Sequence, residues 1–325
     1  MKNENPIFFS FNNDYVVPAA VAFHTLLYYA KTDIVYKMFV LHSDISEYNQ
    51  DLLFNIVNKH KNAELEFIDV KGFLRQEWDR GNFEGLEKNL RKFTPDAIVK
   101  CFAARFFPQF DKIIYSDVDV VFMDDISELS DLDLENQYIG AVKNAFIKND
   151  PDELSHFSKE NCDKFRDTYF AGGIWVMNLD KIRRDNLEEK MIEIVNDDNI
   201  AKKWPDQDVM NIACDNKVKY ISLRYISYPY LMDVISKEGF QSHYAQEELL
   251  ESLYKPKILH YAAWKPWKHR ETKKADVWWD IFAELGLEKT RIFKKFDYNK
   301  LSLKNKIRYR VWRYSENILK EKGVI

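Results

Sequence analysis

The chain has 325 residues, 46% hydrophobic and 15% aromatic, with nine Gly and nine Pro, which is enough apolar material for a large core and excludes a disordered or fibrous chain. Three widely spaced cysteines, Cys101, Cys162 and Cys214, exclude a disulfide framework and fit a reducing compartment. The formal charge of −4 hides an asymmetry: residues 291–325 hold eleven Lys or Arg against three acids, leaving −12 on the first 290 residues, so nucleic acid is not an expected partner of the body.

The opening MKNENPIFFS has no long apolar run, so no secretory leader is expected. No stretch approaches the roughly 18 apolar residues of a membrane span, and a cytoplasmic protein is expected. Residues 6–11, PIFFSF, read as a strand, 16–31 as a helix, and 35–43, VYKMFVLHS, as a second strand. Residues 46–60 read as a helix with Leu52, Leu53, Ile56 and Val57 on one face, and 65–70, LEFIDV, as a third strand. After a charged insertion at 75–91, FTPDAIVKCFAARFF predicts a buried helix with Thr94 as N-cap and Pro95 at the first helical position. It runs into a strand over 112–122. Such alternation predicts an α/β fold with a mainly parallel sheet, helices on both faces, and a site at the carboxyl ends of the strands.

Within that last strand, IIYSDVDVVF at 113–122 is an apolar run that carries two carboxylates one residue apart. Unpaired buried charge is expensive, so Asp117 and Asp119 need a partner. In an extended chain they share one face, while Val118 and Val120 take the other. At a few ångströms they repel by about 3 kcal/mol at an effective dielectric near 20, which favours a divalent cation beside them. Two other readings use the same letters. A solvated strand end would lead into an acidic loop, since Asp124 and Asp125 follow. A phosphatase of the haloacid dehalogenase type would use the first aspartate as nucleophile beside Mg²⁺. That motif usually stands near the N-terminus, however, and a Gly-Asp-x-x-x-Asp segment follows it, which this sequence lacks.

The order FNNDY (11–15), DKIIYSDVDVVF (111–122), YFAGGIWVMNL (169–179), WPDQDVMN (204–211) and ILHYAAWKPW (258–267) resembles glycosyltransferase family 8 over roughly residues 6–270. The resemblance implies a GT-A nucleotide-sugar-binding sheet that holds Mn²⁺ or Mg²⁺ against a UDP-sugar. It implies Asp117, Asp119 and His260 as metal ligands, a donor set that suits octahedral Mn²⁺. Donor-binding positions implied are Asn12, Asp14, Tyr15, Lys100 (with Arg105 as a rival), Val118, Gly172, Gly173 and Lys265. Tyr15 would stack on the base, and Lys265 would face the diphosphate. Asp206 and Gln207 would lie beneath the transferred sugar, Asp206 on its hydroxyls. Gln207 occupies the place of a nucleophile, but an amide is a poor one, so front-face attack by the acceptor is expected. Asp206 could also cap the helix that starts there, and FNND could be an Asx-capped turn. The sequence departs from the family at Ala262–Trp264, where a Gly usually precedes the lysine, and at Ala171, where many relatives have Asn.

From Leu303, apolar residues recur as Leu303, Ile307, Val311, Tyr314 and Ile318, flanked by Lys304, Lys306, Arg308, Arg310 and Arg313. With Tyr309 and Trp312, this stripe over 301–320 suits an anionic membrane surface, or a helix packed on the body. The expectation is a catalytic domain over 1–270 and a helical segment over 271–325 that ends in the basic tail. The expected activity is retaining transfer of a hexose, galactose or glucose first, from a UDP-sugar to a cell-surface glycan or glycolipid such as lipooligosaccharide or capsule. The enzyme would work on the inner face of the plasma membrane. A catalytically inert sugar-nucleotide binder is the other alternative.

Overall fold

The computed structural model describes residues 3–80, 95–148, 154–197, 200, 203–269 and 271–287. The chain opens with strand β1 (Asn3–Ser10), whose Ile7, Phe8 and Phe9 are fully buried, as expected of a strand covered on both faces. Helix α1 (Val16–Tyr29) is apolar almost all round and buries Val16 to Phe23 without a break. Its one buried hydroxyl is satisfied twice: Thr25 Oγ1 donates to Val21 O at 3.0 Å and accepts from Phe122 N at 3.1 Å. Strand β2 (Ile34–His42), helix α2 (Glu47–Val57) and strand β3 (Ala63–Asp69) follow. On α2, Leu53, Ile56 and Val57 are buried, and Leu52 is half-buried.

Seven strands form one sheet in the order β3-β2-β1-β4-β7-β6-β8, with β4 (Lys112–Ser116), β6 (Ile139–Lys143), β7 (Phe170–Asn178) and β8 (Val218–Ile221). The β1–β2, β2–β3, β1–β4 and β6–β8 pairings are parallel, and only β7 runs antiparallel to its neighbours β4 and β6. The mainly parallel α/β sheet expected from the alternation is therefore present. The reversal at β7 brings its first residues, not its last, to the edge where the parallel strands end.

The strand expected over 112–122 is two strands. β4 stops at Ser116, the backbone bends at Val118 and Asp119, and β5 (Val120–Phe122) belongs to a separate two-stranded sheet with β9 (Ile258–His260). The two carboxylates thus fall where the chain leaves the main sheet, which removes the conflict between charge and a buried ladder. The helix expected after residue 94 is also interrupted: Pro95–Val99 and Ala103–Phe106 are α-helical, and Lys100–Phe102 is a tighter 3₁₀ turn. Thr94, its expected cap, lies outside the described residues, as do most of the insertion at 75–91 and the tail at 301–320. Helix Ala275–Glu284 buries Trp278 and Phe282, stacked at 5.5 Å, and belongs to the compact unit Met1–Leu285. Among the described residues no helix is long and apolar enough to cross a membrane.

Candidate active site

A cavity of about 680 Å³ opens at the carboxyl ends of the parallel strands. Asn12 and Tyr15 reach it from the turn after β1, Asp117 to Asp119 from the bend after β4, and Gly172 and Gly173 from the start of β7. Asp206 and Gln207 come from the first turn of helix Pro205–Cys214, His260 from the end of β9, and Lys265 from the loop that follows. Every residue singled out from the sequence for the metal, sugar or diphosphate lines this cavity, Val118 and Lys100 included. Asp14 is exposed and is not among the lining residues. Asn12 Oδ1 accepts from Asp14 N at 3.1 Å, so FNND is an Asx-capped turn as well as a cavity wall.

Antiparallel pairing of Val120 with His260 sets Asp119 beside the imidazole. One atom each from Asp117, Asp119 and His260 lies within 4.8 Å of the others. His260 Nε2 is 3.2 Å from Asp119 Oδ1 and 3.4 Å from Asp117 Oδ2. Proximity is not alignment: Asp119 Oδ1 and both ring nitrogens of His260 are buried without a hydrogen-bond partner. Buried polar atoms left in that condition are costly, and their donor set of two carboxylates and an imidazole fits a divalent cation. The imidazole enters because position 173 is glycine, as a Cβ there would lie 2.5 Å from His260 Cε1. Burial alone would depress the His260 pKa, but Asp119 and Asp117 outweigh it and raise the ring to about 9. Burial would likewise raise the Asp119 pKa, and Lys265 and His260 pull it well below the usual carboxylate range.

Two lysines frame the cluster. Lys265 Nζ pairs with Asp119 Oδ2 and donates to Ala262 O at 2.9 Å. Lys100 is buried, with Nζ 2.6 Å from Asp206 Oδ2, 3.3 Å from Asp117 Oδ1 and 3.3 Å from Gly172 O, over the rings of Tyr115 and Trp175. It thus ties the candidate sugar-binding carboxylate to the candidate metal ligand. Arg105, its rival in the sequence, lies elsewhere, paired with Glu188 at 2.9 Å, Glu189 at 2.8 Å and the buried Glu77 at 3.2 Å. With its pKa at about 9 the ring is protonated near neutral pH, so three carboxylates face three cationic groups, and a cation bound between the ligands would take the place of the ring proton.

Gln207 is held by its oxygen, since Gly172 N donates to Gln207 Oε1 at 2.7 Å. Asp206 does not cap its helix. No side chain caps it; Asp208, fully buried in the helix, instead anchors the segment before it, since its Oδ2 accepts from Lys203 N at 2.8 Å and Trp204 N at 2.9 Å, with His156 Nε2 at 3.0 Å and the Tyr169 hydroxyl on Oδ1. Sequence reasoning missed this anchor, although the second acid of DQD was its one signal. It also missed Asn144, Phe146, Trp204, Tyr228 and Tyr230, which line the cavity. Four of these five are aromatic, and in a chain so rich in aromatics nothing local distinguishes a cavity ring from a core ring.

Residues 6–271 match Glycosyl transferase family 8. A lipopolysaccharide 1,2-glucosyltransferase of Escherichia coli is 31% identical over 124 residues, 37% of this chain and 35% of that protein. Among solved structures, the bifunctional glycosyltransferase WbbM superposes with a TM-score of 0.73 at 22% identity, over 91% of this chain and 52% of WbbM. The galactosyltransferase LgtC, in complex with donor and acceptor sugar analogues, superposes with a TM-score of 0.66 at 21% identity, over 87% of this chain and 97% of LgtC. The chain spans between about a third and two thirds of the length of the first curated relatives it matches.

Proposed function

Because the chain belongs to glycosyltransferase family 8, we propose that it is a metal-dependent, configuration-retaining hexosyltransferase that uses a UDP-sugar, galactose or glucose first. The observation that carries this reading is the cluster of Asp117, Asp119 and His260, in which Asp119 Oδ1 and both ring nitrogens of His260 are buried without hydrogen-bond partners at the wall of a nucleotide-sized cavity. Family membership removes the phosphatase alternative. Tyr15 and Asn12 hold the base and ribose, with Tyr15 at the edge of Trp267. Asp117, Asp119 and His260 hold Mn²⁺ or Mg²⁺, which supplies positive charge for the diphosphate. Lys265 adds an ammonium where leaving-group charge grows. Gly172 and Gly173 let the backbone approach the hexose, and Asp206, oriented by Lys100, accepts its hydroxyls. Gln207, an amide with its oxygen engaged, positions the sugar and does not attack it. The acceptor hydroxyl then approaches on the face from which UDP departs, and its proton passes to the leaving diphosphate oxygen.

The acceptor in this reading is a cell-surface glycan or glycolipid, which the lipopolysaccharide glucosyltransferase relative supports. The basic segment 301–320 would hold the enzyme on an anionic membrane. Incubation with UDP-galactose or UDP-glucose and Mn²⁺ without acceptor tests the activity. Slow release of UDP and free sugar supports a transferase, and release of neither, with UDP still bound, indicates an inert binder. In a thermal-shift screen, a UDP-sugar at 100 times its Kd should stabilise the chain by about 2.7 kcal/mol.

A further inference from the structure

Asp206 and Gln207, which the proposed reading puts beneath the hexose, stand between Trp204 and Asp208 in the chain, and Asp208 decides where that stretch lies. Its carboxylate is fully buried and takes four donors. Lys203 N, Trp204 N and His156 Nε2 reach Oδ2 at 2.8, 2.9 and 3.0 Å, and the Tyr169 hydroxyl donates to Oδ1. That is as many as a carboxylate ordinarily accepts. Asp208, His156 and Tyr169 are not among the residues that line the cavity, so any effect they have on a bound sugar passes through Asp206 and Gln207, which do line it.

His156 is mounted on a core of its own. Between β6 and β7 the chain carries Ile147, Leu154, Phe157, Phe165 and Tyr169, which form a small apolar cluster. The imidazole lies on Phe157, with ring centroids 4.0 Å apart, and Phe157 packs on Phe165 at 5.2 Å and on Tyr169 at 6.3 Å. Helix Lys159–Phe165, capped by Ser158 Oγ, which accepts from Asn161 N at 3.3 Å, supplies the last turn of that cluster. His156 and Tyr169 thus approach Asp208 from one packed unit. The helix that bears Asp208 is clipped to β7 beside it, where Asn211 Oδ1 accepts from Phe170 N at 2.9 Å and Asn211 Nδ2 donates to Phe170 O at 3.0 Å.

We propose that His156 is a positioning residue for the donor hexose: through Asp208 it fixes the stretch from Trp204 to Gln207, and so sets how tightly the sugar half of the donor is held while the nucleotide half is untouched. This rests on the transferase reading above. The two halves separate because their contacts come from different elements. Asn12 and Tyr15 follow β1, Asp117 and Asp119 follow β4, and His260 ends β9, whereas Asp206 and Gln207 share one helical turn with Asp208. Leucine at position 156 would fill similar space without a donor and leave a fully buried carboxylate one bond short, a cost that the turn lowers only by shifting. Glutamine would keep an N–H on a side chain of similar length.

Calorimetric titration of the full chain with UDP, UDP-galactose and UDP-glucose in Mg²⁺ reads the two halves separately. In His156→Leu, the sugar nucleotide that the wild-type chain binds more tightly should lose roughly three- to tenfold in affinity, the size of one hydrogen bond, and UDP should stay within about twofold. His156→Gln should recover most of that loss. Tyr169→Phe removes the donor on Asp208 Oδ1 and should cause the same selective loss, so it carries the test if circular dichroism shows that His156→Leu does not fold. Equal weakening of UDP and sugar nucleotide, unchanged sugar-nucleotide binding in the folded variants, or a glutamine variant no better than leucine overturns the assignment. Failure of the wild-type chain to bind UDP, or to bind at least one of the two sugar nucleotides, overturns the transferase reading beneath it.

Discussion

Replacing Gly173 by alanine probes the proposed metal site without altering a charge. The new Cβ would lie 2.5 Å from His260 Cε1 and 2.6 Å from Nδ1, against ordinary contact beginning at 3.4 Å. The strand cannot yield, because Gly173 O accepts from Asp117 N at 2.9 Å and Ile174 is paired with Ser116. The imidazole must therefore retreat by about 0.9 Å, and Tyr228 stacked on it limits the retreat. Overpacking of this kind costs about 1–3 kcal/mol and should lower the melting temperature by roughly 2–10 °C. Disturbing the orientation of a ligand should weaken Mn²⁺ by roughly 10- to 100-fold. Differential scanning calorimetry reads the first effect, and calorimetric titration with Mn²⁺ and UDP reads the second. A lower melting temperature with unchanged Mn²⁺ affinity would remove His260 from the ligand set. No change in either would refute the steric reasoning itself.

Asp119→Ala should abolish Mn²⁺-dependent UDP binding while the fold survives, as read by calorimetry and circular dichroism; unchanged UDP affinity would contradict the metal assignment. Gln207→Ala should keep measurable turnover and an α-linked product from an α-linked donor by NMR, whereas complete loss of turnover would point to a covalent intermediate. Arg105→Ala should leave UDP affinity intact but cost up to about 3–5 kcal/mol in urea unfolding, because the buried Glu188 loses its half-buried partner, while Glu77 keeps Arg80 at 2.9 Å. Burial lifts the Glu188 carboxyl to about 6 even against the pull of Arg105, and loss of Arg105 lifts it further, so protonation should relieve the unpaired charge and shrink the deficit as pH falls from above that value towards it. The full chain should co-sediment with anionic but not neutral liposomes and be released at high salt, since the Debye length falls from about 10 Å at 0.1 M to about 3 Å at 1 M. A chain ending at Asp297 should lose that binding, and unfolding of the truncated chain would instead place the tail in the core.

The parallel sheet was legible because β1 and β2 are apolar runs separated by helices of clear period, and the alternating, half-exposed β3 still reads as a strand, so β1 to β3 lie close to where the pattern puts them. The break between β4 and β5 was not, because Val118, Val120 and Val121 suit a strand whether or not the backbone bends at Asp119. Local pattern carries no information about a partner strand far along the chain, and β5 exists only through β9. The candidate site was legible through charge: carboxylates, a histidine and lysines in apolar settings announce themselves. Lys100 and Arg105 could be separated only by their surroundings, one ringed by Asp117 and Asp206, the other by three glutamates. The anchor at Asp208 and the aromatic group around Tyr228 depend on tertiary contacts that leave no periodic trace.

The pairing of β5 with β9 has a consequence for biogenesis. Lys265 and its partner Asp119 are 146 residues apart in the chain, and contacts of such separation form late because a long loop must close first. During synthesis, the three-strand β1–β2–β3 layer and β4 can assemble while the segment bearing His260 is still inside the ribosome or not yet translated. Until that segment arrives, Asp117 and Asp119 project from a finished sheet edge with no imidazole across from them. On the proposed reading, a nascent or truncated chain would therefore be unable to trap a cation tightly, and competence for the metal would mark completion of nearly the whole body that carries the candidate site.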